Sequence, residues 1–246
     1  GHVVRRIRAY GLGESLLAQM LSDLDWQNGS VKIGTRASVE SLTVILRAPA
    51  TAEGLAQLER IQAHICAVLG ERVFGFEDDS LPAVTGRLLR EAGLAVATAE
   101  SCTGGLVAKR LTDVPGSSDY FRGGVVAYSN DVKTAVLGVD PSLLETKGAV
   151  SAEVAAVMAE AAARLLGSQC AVSTTGIAGP GGATKEKPVG LVYIGSVVDG
   201  VTQVERLQLF GQREQVRERA ALTALDILRR RLLARTKQTV PPRHNP

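Results

Sequence analysis

The tightest constraint in this chain is one junction. An apolar, strand-like run, Leu94–Thr98, leads into Ala99-Glu100-Ser101-Cys102-Thr103-Gly104-Gly105 and then directly into a helical run, Leu106–Leu111. A helix start leaves backbone N–H groups without intrahelical partners, ready to hold an anion. Ser101 stands at that point, where a nucleophile and an oxyanion hole fit together. Strands that pass straight into helices belong to α/β architectures, and the rest of the chain extends the pattern.

From residue 80 onward, helical and apolar strand-like segments alternate. Leu81–Glu91 reads as a helix with Gly93 as its C-cap, and Gly123–Tyr128 as a strand followed by a short helix, Asp131–Leu137. Ser151–Leu166 is a long Ala-rich helix and Cys170–Thr175 a buried strand. Val189–Val198 and Val201–Leu209 flank Asp199-Gly200, a hairpin signal. Arg213–Leu233 is a closing helix. One hairpin among alternating strands and helices predicts a three-layer α/β/α sandwich with a mixed sheet.

The first 79 residues read differently. Val3–Tyr10, Val31–Thr35, Ser41–Arg47 and Arg72–Phe76 are strand-like. Glu14–Leu24 and Thr51–Leu69 are helical, with Thr51 as the N-cap of the second. The order βαββαβ predicts a small α+β, split-βαβ or ferredoxin-like domain. The acidic stretch Glu77–Ser80 marks the boundary. The expected division is 1–79, 80–234, and a Pro-containing tail, 235–246, without apolar period and expected to be disordered.

With 45% hydrophobic and 22% charged residues, the chain has enough apolar mass for a core. A net charge of +3 makes no case for nucleic acid. No apolar run approaches the roughly 20 residues of a membrane helix. Three scattered cysteines, Cys66, Cys102 and Cys170, fit a reduced, cytoplasmic protein. The start at Gly1-His2, without Met, reads as a processed tag or an excised fragment.

The chemistry narrows by elimination. The histidines are His2, His64 and His244, and none lies near the Gly-rich loops. A Ser-His-Asp triad is therefore disfavoured, and no cluster has metal-ligand spacing, so neither metal nor cofactor is expected. A serine nucleophile then needs another base, and lysine serves when its pKa is lowered. Lys133 follows Ser129 or Asn130, either of which caps a helix, so it falls in a first turn where the dipole disfavours an ammonium. Tyr128 ends the preceding strand, within range to relay a proton. Cys102 is a rival nucleophile beside Ser101. Ser173-Thr174-Thr175-Gly176 opens a Gly-rich loop running to Gly182, whose N–H groups suit a phosphate, with Lys185 and Lys187 adding charge. The loops at 99–105, 128–133 and 174–182 all follow strands and converge at strand carboxyl ends.

These residues also carry a resemblance. Thr98-Ala99-Glu100-Ser101-Cys102-Thr103-Gly104-Gly105, Pro115-Gly116-Ser117-Ser118, Gly124 to Asn130 with Lys133, Gly148-Ala149-Val150-Ser151, Thr175 to Pro180 and Lys187-Pro188-Val189-Gly190 resemble the C-terminal domain of the CinA family, over roughly 81–233. Residues 3–80 resemble that family's small middle domain, described as KH-type, through Tyr10-Gly11-Leu12-Gly13-Glu14 and the element order. The resemblance implies a nicotinamide mononucleotide deamidase, a serine amidohydrolase with a lysine base, and a homodimer. It assigns Ser101 as nucleophile, Lys133 as base, and Tyr128 and Ser118 as supporting residues. Cys102, Thr103, Gly104, Gly105, Thr174, Thr175, Gly176, Gly179 and Gly181 are the expected substrate-binding positions. The family's N-terminal molybdopterin-binding-like domain has no counterpart in these residues, so no pyrophosphatase activity is expected of them. Two competing readings are a nucleotide-binding regulatory module with a vestigial site, and RNA binding by the small domain through Arg5, Arg6, Arg8, Lys32, Arg36 and Arg47. The second is disfavoured, because no KH-type GxxG loop flanked by basic residues is present.

Overall fold

A computed structural model describes residues 1–26 and 29–239. The chain divides into two compact units, Gly1–Val84 and Thr85–Pro246. The division falls inside a helix that begins at Leu81. The core of the second unit takes up that helix from Leu88 and Leu89 onward.

The first unit contains β1 (His2–Ala9), α1 (Glu14–Met20), β2 (Lys32–Ala37), β3 (Leu42–Pro49), α2 (Ala52–Leu69) and β4 (Val73–Phe76). The sheet order is β2-β3-β1-β4 with every neighbour antiparallel, the split-βαβ arrangement expected. Strand alternation sends Ile7, Ala9, Leu42, Val44, Leu46 and Ala48 into one core with Leu17, Leu21, Leu58 and Ile65 of the helical layer. The intervening positions of the same strands, Arg6, Arg8, Lys32, Arg36 and Arg47, share the opposite face. Thr51 caps α2 by accepting from Gly54 N–H. The α1 helix stops at Met20 although the apolar spacing continues to Leu24. Its end is closed by the Trp26 indole, which donates to Leu21 O at 3.2 Å.

The second unit continues from α3 (Leu81–Ala92) through β5 (Val96–Glu100), α4 (Leu106–Thr112), β6 (Phe121–Val126), α5 (Asn130–Leu137), α6 (Pro141–Lys147), α7 (Ala152–Leu166), β7 (Cys170–Gly176), β8 (Leu191–Val198) and β9 (Val201–Gln208) to α8 (Arg213–Thr239). The sheet order is β6-β5-β7-β8-β9. Pairings β5·β6 and β5·β7 are parallel, while β7·β8 and β8·β9 are antiparallel. Alternate residues of the central strands enter different cores. Val96, Val172 and Ile194 pack with Leu89, Val107, Leu111 and the α8 leucines on one face. Ala97, Ala99 and Ala171 pack with Leu137, Val154 and Met158 on the other. The unit is thus helix, sheet, helix, and its buried strands read as continuous apolar runs for that reason.

Two elements correct the sequence reading. Helix α6 was not expected, although Asp140 caps it by accepting from Ser142 N–H and Pro141 opens it. Helix α8 runs to Thr239, past the expected end at Leu233 and into the stretch expected to be disordered. No helix breaker stands before Pro241, and Arg235 reaches back to pair with Asp199 on the β8–β9 turn. Residues 240–246 of the expected tail lie outside the described residues. Asp199 and Gly200 both adopt positive φ, 49° and 78°, as the hairpin requires. Among the described residues, no helix is long and apolar enough to cross a membrane.

Candidate active site

The parallel strands β5, β6 and β7 all end at one edge of the sheet, and the loops that follow them meet there. Backbone hydrogen bonds carry the pairing past the strand ends. Ser101 N–H donates to Thr174 O at 2.9 Å and Ala127 N–H donates to Glu100 O at 2.9 Å. Ser101 and Lys133 are brought together by this convergence. Lys133 Nζ lies 3.0 Å from Ser101 Oγ.

Lys133 is only 1% exposed. Ser129 caps α5 through Val132 N–H, and the first turn closes with Lys133 N–H on Ser129 O. This places the side chain under the sheet edge. Its Nζ also contacts Ala127 O at 2.9 Å and Tyr128 O at 3.2 Å. Among the described residues no carboxylate reaches it. Burial holds its pKa below the ordinary lysine value of 10.5. A neutral amine has two hydrogens and one lone pair. Two carbonyls occupy the hydrogens, so the lone pair is left to face Ser101 Oγ.

Cys102 lies beside Ser101 but is not poised to attack. Burial pushes its thiol up to about 12, against a hydrogen bond from Thr174, so the thiolate is disfavoured near neutral pH.

Glu100 organises the turn. It is 1% exposed, and its carboxylate accepts from Gly105 N–H (3.0 Å), Val107 N–H (3.0 Å), Ala108 N–H (2.8 Å) and the Thr103 hydroxyl (2.6 Å). The anion position at the head of α4 is therefore filled by the chain itself. The glycines serve this turn. Gly104 and Gly105 adopt φ of +59° and +100°, where a side chain is strained. The Gly104 N–H donates to Ser101 O, so it is not available to an oxyanion. Among the described residues, the N–H groups of Cys102 and Thr103 donate to no carbonyl or carboxylate.

Ser101, Lys133, Cys102 and Tyr128 line a cavity of about 260 Å³, together with Thr175, Gly176, Gly179 and Gly181. Thr103, Gly104, Gly105 and Thr174 are not among the residues lining it. Thr103 and Thr174 share a hydrogen bond of 2.7 Å, fully buried. Thr175 turns its hydroxyl to Ala149 O at 2.7 Å. The Tyr128 side chain is 58% exposed, and it is its backbone carbonyl, not its ring, that touches Lys133.

Two expectations are corrected. Ser118 is exposed in a turn, Ser117–Asp119, that precedes β6. Because β5 and β6 are parallel, with Val96 paired to Phe121, the entry to β6 lies at the opposite end of the sheet from the exit of β5 at Ser101. Lys187 is occupied elsewhere. Its ammonium donates to Lys147 O, at the carboxyl end of α6, at 2.6 Å.

Two arginines escaped the sequence reading. Arg217 donates to Cys102 O at 3.1 Å and Thr103 O at 3.0 Å, tying the turn that follows Ser101 to α8. Arg213, one turn earlier, lines the cavity. It donates to Gly179 O at 2.7 Å and to the Tyr128 hydroxyl at 2.8 Å. The available signal was their placement. Cations in the first turns of a helix oppose its dipole, so they need another reason to be there.

Comparison with known proteins gives a consistent result. Residues 78–232 match the family described as the CinA C-terminal domain, and residues 4–75 match the damage-inducible protein CinA KH domain. A competence-damage inducible protein of Symbiobacterium thermophilum is 46% identical over 242 residues, covering 94% of this chain and 57% of that protein. A CinA-like protein of Kosmotoga olearia is 42% identical over 229 residues, covering 92% of this chain and 56% of its own length. The crystal structure of the competence/damage inducible protein CihA from Agrobacterium tumefaciens is 41% identical. It matches with a TM-score of 0.59, covering 62% of this chain and 93% of that one. The chain thus spans little more than half the length of the curated relatives it matches.

Proposed function

The chain belongs to the CinA family of competence-damage inducible proteins, and from that premise we propose that its second unit is an amidohydrolase that deamidates nicotinamide mononucleotide to nicotinate mononucleotide and ammonia. One observation carries the reading. A buried lysine with a lowered pKa stands 3.0 Å from the hydroxyl of a serine in a cavity. An amine held this way is a base, and a serine beside a base is a nucleophile.

In the proposed reaction, neutral Lys133 takes the Ser101 proton while Ser101 Oγ bonds to the carboxamide carbon. The carbonyl π electrons move to oxygen. The N–H of Cys102, which lines the cavity beside Ser101, is the donor left for that oxyanion, and one such donor contributes about 3 kcal/mol in comparable sites. Collapse of the intermediate breaks the C–N bond, and the Lys133 ammonium gives its proton to the departing amide nitrogen, which leaves as ammonia. Water then attacks the acyl-enzyme. Lys133 accepts the water proton and returns it to Ser101. Glu100 and Arg217 hold the turn that carries the nucleophile throughout.

The test is ammonia release from nicotinamide mononucleotide by wild type, Ser101→Ala and Lys133→Met. Release by wild type and loss of about 10⁴-fold or more in each variant is expected for paired nucleophile and base. Near-normal turnover by either folded variant refutes the assignment.

A further inference from the structure

We infer that Arg213 is the residue that selects a phosphorylated substrate, by receiving the phosphate of the mononucleotide; this rests on the deamidase reading of the same cavity. The first support is charge balance. Among the described residues lining the cavity there is no Asp or Glu, and the only cations are Lys133 and Arg213. Lys133 must be neutral to act as a base and is held by Ser101 and two carbonyls. Arg213 is then the cation left for an anionic ligand.

The second support is how the guanidinium is held. Its two contacts, Gly179 O and the Tyr128 hydroxyl, are both neutral acceptors, and no carboxylate among the described residues pairs with it. Those contacts use two of its five N–H groups and fix the plane of the fork. The remaining N–H groups suit two oxygens of one phosphate. Other candidates are accounted for. The Lys187 ammonium closes α6, Arg217 binds the nucleophile turn, and the head of α4 holds Glu100. A cavity of about 260 Å³ bordered by Ser101 at the reacting end and Arg213 on its wall suits a small ligand with an amide and an anionic group.

The experiment compares kcat/KM for nicotinamide mononucleotide and nicotinamide riboside in wild type, Arg213→Gln and Arg213→Lys. It is paired with calorimetric binding of nicotinate mononucleotide and nicotinate riboside. The expected result is a preference for the phosphorylated compound that falls by about 30- to 100-fold in Arg213→Gln, as for loss of a charge-assisted hydrogen bond. Arg213→Lys, which keeps the charge but not the fork, should retain part of the preference. If Arg213→Gln weakens both compounds alike, the arginine only supports Tyr128 and the loop, and the inference is overturned. An unchanged preference overturns it as well. Failure of the parent reading looks different: wild type releases no ammonia from either substrate. The binding preference, and its loss in Arg213→Gln, then still decides whether Arg213 holds a phosphate.

Discussion

Among the described residues, the two helical layers of the second unit each bury one cation almost completely, and they treat it in opposite ways. On the face covered by α8, Arg229 is 1% exposed and donates to Asp226 Oδ1 through Nε at 3.0 Å and Nη2 at 2.7 Å. Arg230 donates to the other carboxylate oxygen at 3.0 Å. On the face covered by α5, Lys133 is equally buried but meets two carbonyls and a serine hydroxyl. A buried charge with a carboxylate partner stabilises a fold or at least does not threaten it. A buried amine without one is driven toward neutrality. The contrast separates a cation held by a carboxylate from an amine held by neutral groups, by partners alone.

The sharpest break in this comparison comes from removing each partner. Lys133→Met should lose about 10⁴-fold in turnover while its melting temperature stays near that of the wild type, because the change is close in volume and removes a costly buried amine. Asp226→Asn should do the reverse. It removes the carboxylate to which Arg229 and Arg230 both donate and should cost about 3–5 kcal/mol of stability, read by denaturant unfolding, with kcat of the folded protein preserved. If Lys133→Met instead melts as low as Asp226→Asn, Lys133 is a structural residue and the contrast fails.

The smaller effect is in pH. Because Lys133 must be neutral, kcat/KM should rise with pH and level off through an ionisation below the ordinary lysine value of 10.5. Folding should respond with the same sign. Between the lowered folded pKa and 10.5 the unfolded chain binds more protons than the folded one, so stability increases as pH rises through that window. Lys133→Met should lack that rise, whereas Asp226→Asn should keep it. A wild-type stability profile flat across this window would contradict a buried, neutral lysine.

The pairing of Ser101 with Lys133 was legible in the sequence because elimination and local rules make both residues candidates and the family resemblance joins them. Histidine is absent from the loops, and a capped helix start fixes where Lys133 falls. The order of elements and the hairpin turn were legible for the same local reason. What escaped depends on tertiary distance. Arg213 and Arg217 lie 85 and 115 positions from their partners Tyr128 and Cys102, and only the closure of α8 over the sheet joins them. Glu100 stands inside the most informative stretch, but its role as a cap requires the turn to fold its carboxylate back over α4. Ser118 misled in the opposite way. It is close to Lys133 in sequence, yet a parallel strand intervenes and carries it to the far end of the sheet. The early end of α1 could not be read from apolar spacing, since Leu21 remains buried after the helix has stopped.

Glu100 has one consequence beyond holding a turn. Its carboxylate satisfies the head of α4 without help from any ligand, so the turn that carries Ser101 is already set in the resting protein. Labelling chemistry inherits that readiness. A small acylating or phosphonylating reagent should modify Ser101 with no substrate present, and mass spectrometry should find the adduct in wild type but not in Lys133→Met, where nothing draws the proton from the hydroxyl. Reagents of that kind would count active molecules in a preparation before any substrate has been chosen for it.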